Sequence, residues 1–587
     1  MAEARFRWIF PNPIAPLSDV SIAAAARGIS PRLAELLVRR GVQSAGALDA
    51  WFADPLIGLH DPAGLPDSGL LLSRLRAARD NGEIVQVFGD FDADGLTGLT
   101  ILTIALRRFG IAVMPYVPSR LDEGHGLSIA AIEEAVAAGA SLIVTVDCGT
   151  SSGPEIAVAN ERGLDVIVTD HHRVPPVLPP ALAIVNPHRS DASYPDRRLA
   201  GSGVAFKIAQ LLLADEPGGP AAALDLADLA TIGTVADLAP IVGENRSIAR
   251  IGLERLRQNP RPGIAALLER ARIAPAALDL ETISFALAPR LNAAGRMGEA
   301  LQAAQLLLAG DRVEADQHAD ALESANLARR DLTKTAVTEA RALMAGSAAA
   351  ATVVRGPWPV GIVGLVAARL VEDRGRPAVV GAELGTVVRA SCRSDGALDL
   401  GATLERCADL FVRYGGHAGA AGFEIATEHW DAFTEQFIAL AAESAPPDPR
   451  VSISIDLALP AGDVDYDLFR ELGGLAPCGP GNPDPLVAVL GLTVTRVRAA
   501  TGGHSQLTLR RERDVLDGIA FGRSDIAEVV QEGDRLDVIA RLTSRRFGGY
   551  ESLQLDIRDV AVSGSHIEAA GILEGHLART ALGAGAG

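Results

Sequence analysis

The sequence predicts an α/β protein: a parallel-sheet domain, joined by a long helix to a second α/β domain and followed by a small β-barrel. Three observations predict it. Between about residues 80 and 240, apolar runs such as Ile84–Phe88, Leu142–Val146 and Val166–Thr169 alternate with Ala-rich helical stretches, the pattern of an open parallel sheet. From Asp311 to Ala345 there is neither Gly nor Pro; a helix of that length would reach about 50 Å at 1.5 Å per residue. After Ala445-Pro446-Pro447-Asp448-Pro449 the pattern changes to short alternating segments, Val451–Leu459, Leu486–Val497, Gln506–Leu509, Leu516–Phe521, Leu536–Leu542 and Leu553–Ile557, a count and spacing that suit a barrel.

Taken in order, residues 1–60 read as a helical N-terminal region, with Ile29-Ser30-Pro31 as a helix start. Residues 61–300 form the first α/β domain and 301–345 the connecting helix, with a broken helical pair as the alternative. Residues 346–445 form the second α/β domain, with Val360-Gly361-Ile362-Val363-Gly364 and Pro377-Ala378-Val379-Val380 inside it. The linker opens the barrel, 446–562. Residues 563–587, ending Ala-Gly-Ala-Gly, read as a disordered tail.

A chain of 587 residues has room for three or four domains. It shows no apolar run of membrane-spanning length and no signal-peptide core, and Cys148, Cys392, Cys407 and Cys478 show neither disulfide nor zinc spacing. A reduced cytoplasmic protein with no membrane partner, and a monomer, is expected. The net charge of −19 argues against a nucleic-acid partner only if charge is evenly spread, because an electrostatic footprint is local. All basic side chains but Lys207 and Lys334 are Arg, which suits bidentate phosphate contacts and equally reflects biased codon usage.

The chemistry concentrates at predicted strand ends. Asp90, Asp92 and Asp94 of GDFDADG (89–95) follow the run Ile84–Phe88. Three such carboxylates raise one another's pKa unless a cation neutralises them. A solvated acidic turn is the alternative. A calcium loop of EF-hand type would need Glu at its twelfth position, which is Ile101, and a helix before Asp90. Leu142–Val146 runs into Asp147, Val166–Thr169 into Asp170-His171-His172, and the predicted strand Thr231–Ala236 into Asp237. Ligands bind beyond such strand ends. An Asp/His set with few sulfurs favours Mn²⁺ or Mg²⁺, and two ions sharing a carboxylate suit in-line displacement at phosphorus.

GDFDADG, VDCG (146–149), Asp170-His171-His172 and GTVAD (233–237) resemble the motifs of the DHH phosphoesterase superfamily. YVPSRLDEGHGL (116–127), GTVADLAPIVGENR (233–246), APRLNAAGRM (288–297), GGHAGAAGF (415–423) and LAPCGPGNPDP (475–485) are similar, in order, to blocks of its RecJ family of bacterial single-strand-specific exonucleases. The resemblance covers about residues 5 to 560. It implies a DHH catalytic domain, a DHHA1 domain and an OB-fold barrel. It implies two divalent cations, Mn²⁺ or Mg²⁺, with Asp90 and Asp92 on one, Asp94, His171 and Asp237 on the other, and Asp147 bridging. His172 would face the scissile phosphate and Asp170 would orient the His pair.

For substrate, the resemblance implies a single DNA strand with a 5′ end, degraded 5′→3′, in repair and recombination. Gly415, Gly416 and His417 would approach a phosphate; Ser391, Arg393 and Arg120 would form the pocket for the 5′ end, with Arg296 also reaching phosphate. Asn326 and Arg330 on the long helix, and Arg545, Arg546, Phe547 and Tyr550 on the barrel, are further expected contacts. A single-stranded-DNA-binding protein and a RecQ-type helicase are the expected protein partners. Phe91 and His125 depart from aromatic types frequent in the family, at positions that carry no expected ligand. Two rivals are a DHH phosphodiesterase acting on short oligonucleotides or cyclic dinucleotides, and an inactive nucleic-acid-binding scaffold; the barrel argues against the first and the full ligand set against the second.

Overall fold

The computed structural model describes residues 3–12, 14, 18–119, 123–297, 300–396, 398–444, 450–547 and 550–566; most of the expected disordered tail lies outside them. The chain folds as two units, Ala53–Ala445 with Gly479–Gly481, and Met1–Phe52 with Pro446–Cys478 and Asn482–Gly587.

In the first unit the apolar runs become a fully parallel sheet. Its spatial order is Ala112–Tyr116, Ile84–Gly89, Ala140–Val146, Asp165–Thr169, Ala183–Val185. Side chains alternate between two cores: Val85, Val87, Leu142, Val144, Val146 and Ile167 enter one, Phe88, Ile143, Val166 and Val168 the other. Burial on both faces is why these strands read as continuous apolar runs. Strand Ile84–Gly89 lies between its successor in sequence, Ala112–Tyr116, and Ala140–Val146, so the winding reverses there and a crevice opens at the carboxyl ends.

One expected strand is a helix. Thr231–Ala236 belongs to helix Ala227–Ala236, with Asp237 as its C-cap. The segment is buried from Thr231 to Val235, packed against helices Ala93–Arg108, Gly201–Leu213 and Gly243–Gln258. A short, buried apolar run carries no periodicity that separates strand from helix. The β-branched Thr231 is accommodated by its hydroxyl, which donates to Ala227 O at 2.8 Å.

The same unit buries an ion pair. Lys207 Nζ lies 2.9 Å from Glu244 Oε1 with both side chains at 0% exposure. Nζ also donates to His60 O (2.6 Å), and Tyr194 OH donates to Glu244 Oε2 (2.7 Å). Removing one partner strands a buried charge. Lys207→Met is therefore expected to lower unfolding free energy by about 3–5 kcal/mol in urea melts, and a loss below about 1 kcal/mol would contradict this account.

The Gly- and Pro-free stretch is a single helix, Arg312–Leu343, started by Asp311 Oδ1, which accepts from the backbone N–H of Val313 (2.8 Å) and Glu314 (3.0 Å). Ala315, Ala319 and Leu322 enter the core of the parallel-sheet domain, while Ala336, Val337 and Ala340 enter the next core. One helix thus belongs to both α/β domains. The second domain is a five-stranded mixed sheet ordered Phe411–Gly416, Ala420–Ala426, Val387–Arg393, Ala378–Leu384, Thr352–Gly356. Helix Val360–Arg374 packs on it.

In the second unit, Leu486–Ala500, His504–Arg511, Asp514–Ala520, Tyr550–Val562 and Arg535–Phe547 pair in that order, and Leu486–Ala500 closes on Arg535–Phe547. With helix Ser524–Val529 between the third and fourth strands in sequence, this is a five-stranded OB-type barrel. Residues 1–60, expected to form a helical region of their own, instead begin with strand Arg7–Ile9, paired in parallel with Ser452–Ser454. Trp8 and Phe10 are buried while Arg7 and Ile9 are exposed, the period of a strand. Helix Pro31–Arg39 is capped as expected, Ser30 Oγ accepting from Leu33 N at 3.0 Å. Its Leu33, Leu36 and Leu37 share one core with Val487, Leu509 and Leu536 of the barrel.

Candidate metal centre and nucleic-acid site

Register delivers the acidic residues to one place. Gly89 pairs with Val146, and Val146 with Thr169, so the next residues, Asp90, Asp147 and Asp170, leave the sheet side by side. Their backbone N–H groups still donate across it, to Val146 O (3.3 Å), Thr169 O (3.0 Å) and Val185 O (3.1 Å). Asp147 then turns with φ +61°, a conformation that costs of order 1–3 kcal/mol outside Gly and recurs at functional sites. Gly201 and Gly233 have no side chain because one would collide with the carboxylates of Asp147 and Asp94, respectively.

Asp92 is the N-cap of helix Ala93–Arg108, its Oδ1 accepting from the N–H groups of Asp94 and Gly95 at 3.0 Å each. Asp94 faces inward from the first turn, where Gly201 N and Ser202 N donate to its carboxylate (2.6 and 3.0 Å). Asp237 reaches the site from a helix end. Possible ligand atoms cluster as Asp90, Asp92 and Asp147; Asp94, His171 and Asp237; and Asp147, His171 and His172, each trio within 4.8 Å. Asp147 and His171 each belong to two trios.

The electrostatics call for cations. Burial, then repulsion from Asp90 and Asp94, pushes Asp92 up to about 6. Burial and the neighbouring carboxylates push Asp237 up to about 8 and Asp147 well above the carboxylate range. Burial lowers His171, leaving its ring neutral and able to ligate. Asp147 Oδ1 and His171 Nε2 are buried 3.0 Å apart, yet neither makes a hydrogen bond. Unsatisfied buried polar atoms are rare. These donors, five carboxylates with a neutral imidazole, fit Mn²⁺ or Mg²⁺.

His172 is held from behind. Asp170 Oδ1 accepts from the backbone N–H of His171 (2.7 Å) and His172 (3.1 Å) and lies 2.8 Å from His172 Nδ1. That hydrogen bond raises His172 to about 9, and Asp170 is lowered in turn. Asp170 Oδ2 accepts from Thr150 N (3.1 Å), while the fully buried Asn186 donates Nδ2–H to His172 O (2.9 Å) and to Thr150 Oγ1 (3.1 Å).

The expected phosphate-binding residues divide. On the second sheet, Gly415 pairs with Gly422, and Gly422 with Ser391, placing two side-chain-free positions in a row beside Ser391. Arg393 Nη1 donates to Ser391 Oγ (3.0 Å), and both side chains lie against Gly364 in the first turns of helix Val360–Arg374. Arg296 donates to Gly361 O (2.9 Å) in the same turns. The structure thus brings Ser391, Arg393 and Arg296 to one helix N-terminus, a setting that attracts anions. His417 is exposed beyond Gly416, its Nδ1 accepting from Gly419 N at 3.3 Å. Arg120 lies outside the described residues, as do the side chains of Arg546, Phe547 and Tyr550. Arg545 lines a 220 Å³ cleft on the barrel with Arg496, Arg498 and Gln506. Arg330 is exposed, but Asn326 is 2% exposed and its Oδ1 accepts from Arg329 Nη2 at 2.9 Å.

Four residues of the site escaped the sequence reading. Arg329 and Asn186 belong to no distinctive motif. Asn292 Oδ1 accepts from Ala93 N (2.7 Å) at the start of the acidic helix, and His125 Nδ1 lies 3.1 Å from Asp90 Oδ2. The last two fall within APRLNAAGRM and EGHGL, blocks already singled out, which was the available signal.

Comparison with known proteins agrees along the whole chain. Residues 84–234 match the DHH family, N-terminal domain, residues 346–443 the DHHA1 domain and residues 455–559 the RecJ OB domain. The single-stranded-DNA-specific exonuclease RecJ of Bacillus subtilis (strain 168) is 33% identical over 572 residues, 96% of this chain and 72% of that one. RecJ of Thermus thermophilus is 34% identical over 562 residues, 94% of this chain and 79% of that one. A crystal structure of Thermus thermophilus RecJ with Mn²⁺ superposes with a TM-score of 0.81 at 30% identity, covering 95% of this chain and 80% of that one; the structure with Mg²⁺ gives 0.76 at 29%, covering 95% and 78%. With DHH, DHHA1 and OB domains in this order along the sequence, the chain belongs to the RecJ family of DHH proteins.

Proposed function

We propose that the chain is a metal-dependent exonuclease that degrades single-stranded DNA from its 5′ end, hydrolysing one phosphodiester bond at a time. The observation that carries this reading is the set of three ligand clusters linked through Asp147 and His171. Asp90 and Asp92 would hold one divalent cation, Asp94, His171 and Asp237 the other, with Asp147 between. Such a pair supplies an activated water and stabilises charge on the attacking and leaving oxygens. The chain's own residues do the rest. Asp170 and Asn186 fix the His172 loop, so the exposed ring can donate a hydrogen bond to a non-bridging phosphate oxygen. Ser391, Arg393 and Arg296, at the N-terminus of helix Val360–Arg374, would receive the terminal 5′-phosphate, with Arg120 as a further donor. The side-chain-free row at Gly415 and Gly422 lets a backbone phosphate approach.

The family supports the substrate, since its curated members are named for single-stranded DNA. The barrel's arginine-lined cleft gives a strand somewhere to bind, which short oligonucleotides and cyclic dinucleotides would not need. Roles in repair and recombination, with a single-stranded-DNA-binding protein and a RecQ-type helicase as partners, belong to the same reading. A cytoplasmic location belongs to the same reading. Among the described residues no helix is long and apolar enough to cross a membrane. Digestion of 5′- and 3′-labelled single- and double-stranded DNA with Mn²⁺, Mg²⁺ or chelator tests it. Mononucleotides released early from the 5′ label of single strands alone, and only with metal, are expected; early release from the 3′ label, or equal digestion of duplex, would refute it.

A further inference from the structure

We infer that His125 is a positioning residue for the Asp90 carboxylate, holding it in the orientation that receives a divalent cation; the inference rests on the metal reading proposed above. Its Nδ1 lies 3.1 Å from Asp90 Oδ2, while Asp90 Oδ1 accepts from Phe91 N at 2.8 Å. Each oxygen of this buried carboxylate therefore has one lone pair committed. The remaining lone pairs are left for the space shared with Asp92 and Asp147. The imidazole also packs against Phe91, with ring centroids 4.5 Å apart, and leaves 70% of its surface in solvent.

The loop that carries His125 is built to keep it there. The Glu123 carboxylate accepts from Ser119 N (2.7 Å), from Tyr116 OH (3.0 Å) and from the Ser128 hydroxyl. Leu127 N donates to Ser152 Oγ at 3.2 Å. Gly124 and Gly126, on either side of His125, take φ of +82° and +87°, left-handed values that Gly adopts without strain. The loop is thus tied down at both ends and turned so that residue 125 faces Asp90. A purely aromatic residue at 125 would keep the contact with Phe91 and lose the donor. Donors to a ligating carboxylate fix its orientation, and losing one typically costs 10–100-fold in metal affinity.

The test is Mn²⁺ titration of the metal-stripped protein, reading free Mn²⁺ by electron paramagnetic resonance, with His125→Phe, His125→Asn and Asp90→Asn beside wild type. His125→Phe is expected to raise the half-saturating Mn²⁺ concentration about 10–100-fold at unchanged Tm, and His125→Asn, whose amide N–H occupies nearly the place of Nδ1–H, to stay within about threefold of wild type. Wild-type affinity in His125→Phe alongside loss in Asp90→Asn overturns the role of His125 and leaves the metal reading standing. Equal loss in His125→Phe and His125→Asn also overturns it, because a donor at that place would then not matter. Wild-type affinity in Asp90→Asn overturns both.

Discussion

Asp147→Asn is expected to abolish cleavage while leaving the fold intact. Asp147 takes part in two of the three ligand clusters, and its Oδ1 faces His171 Nε2 at 3.0 Å. Losing a shared ligand weakens both cation positions at once. Metal ions supply several kcal/mol of transition-state stabilisation, so a loss of ~4–6 kcal/mol, about three to four orders of magnitude in kcat, is the expected scale. Asn retains the volume and tolerates the left-handed backbone at φ +61°. In the metal-free protein burial and the neighbouring carboxylates push Asp147 well above the carboxylate range, which favours the neutral acid that the amide resembles. The metal-free variant should therefore melt within a few degrees of wild type and lose the Mn²⁺-dependent increase in Tm. Single-turnover rates at saturating Mn²⁺ check this: activity within tenfold of wild type would show that Asp147 does not bridge.

How much of this site was legible follows from which residues depend on local pattern. Asp90, Asp147 and Asp170 were placed by strand runs whose two-sided burial leaves an unbroken apolar signature, and register then aligned them. Asp92 and Asp94 come with Asp90 in one loop. Asp237 was assigned to the site, but as a strand end. Thr231–Ala236 is equally apolar on every side, and only the packing of three neighbouring helices makes it helical. The N-terminal strand was lost for the opposite reason: three residues are too few to show a period, although Trp8 and Phe10 alternate with exposed neighbours. Asn186 and Asn292 act through hydrogen bonds to segments distant in sequence, and Arg329 through one to Asn326 on its own helix, none of which a motif announces. His125 was visible as a departure from an aromatic type, but its meaning depends on a 3.1 Å approach from 35 positions away.

The last expectation concerns protons and metal together. In the metal-free site Asp92 is pushed up to about 6 and Asp237 up to about 8, in both cases by burial first and neighbouring carboxylates second. Each folded value lies above the unfolded one near 4. The sign follows from linkage: these groups contribute their full stability below pH 4, and that contribution is lost as pH rises through about 6 and then about 8. The metal-free protein should therefore become less stable across this window. Cations compensate the carboxylates and can bind only after the protons leave, so Mn²⁺ uptake at pH 7 should release about one to two protons. His171, lowered by burial, opposes this loss only below its unfolded value near 6.5. The increase in Tm caused by saturating Mn²⁺ should consequently be small at pH 5.5 and grow steadily to pH 8.5. Calorimetric titration in buffers of different ionisation enthalpy counts the protons, and melting curves with and without Mn²⁺ give the increment. A Tm increment independent of pH, with no proton released at pH 7, would show that the carboxylates enter the metal-free state already charged and that the cluster is held together by something other than the cations.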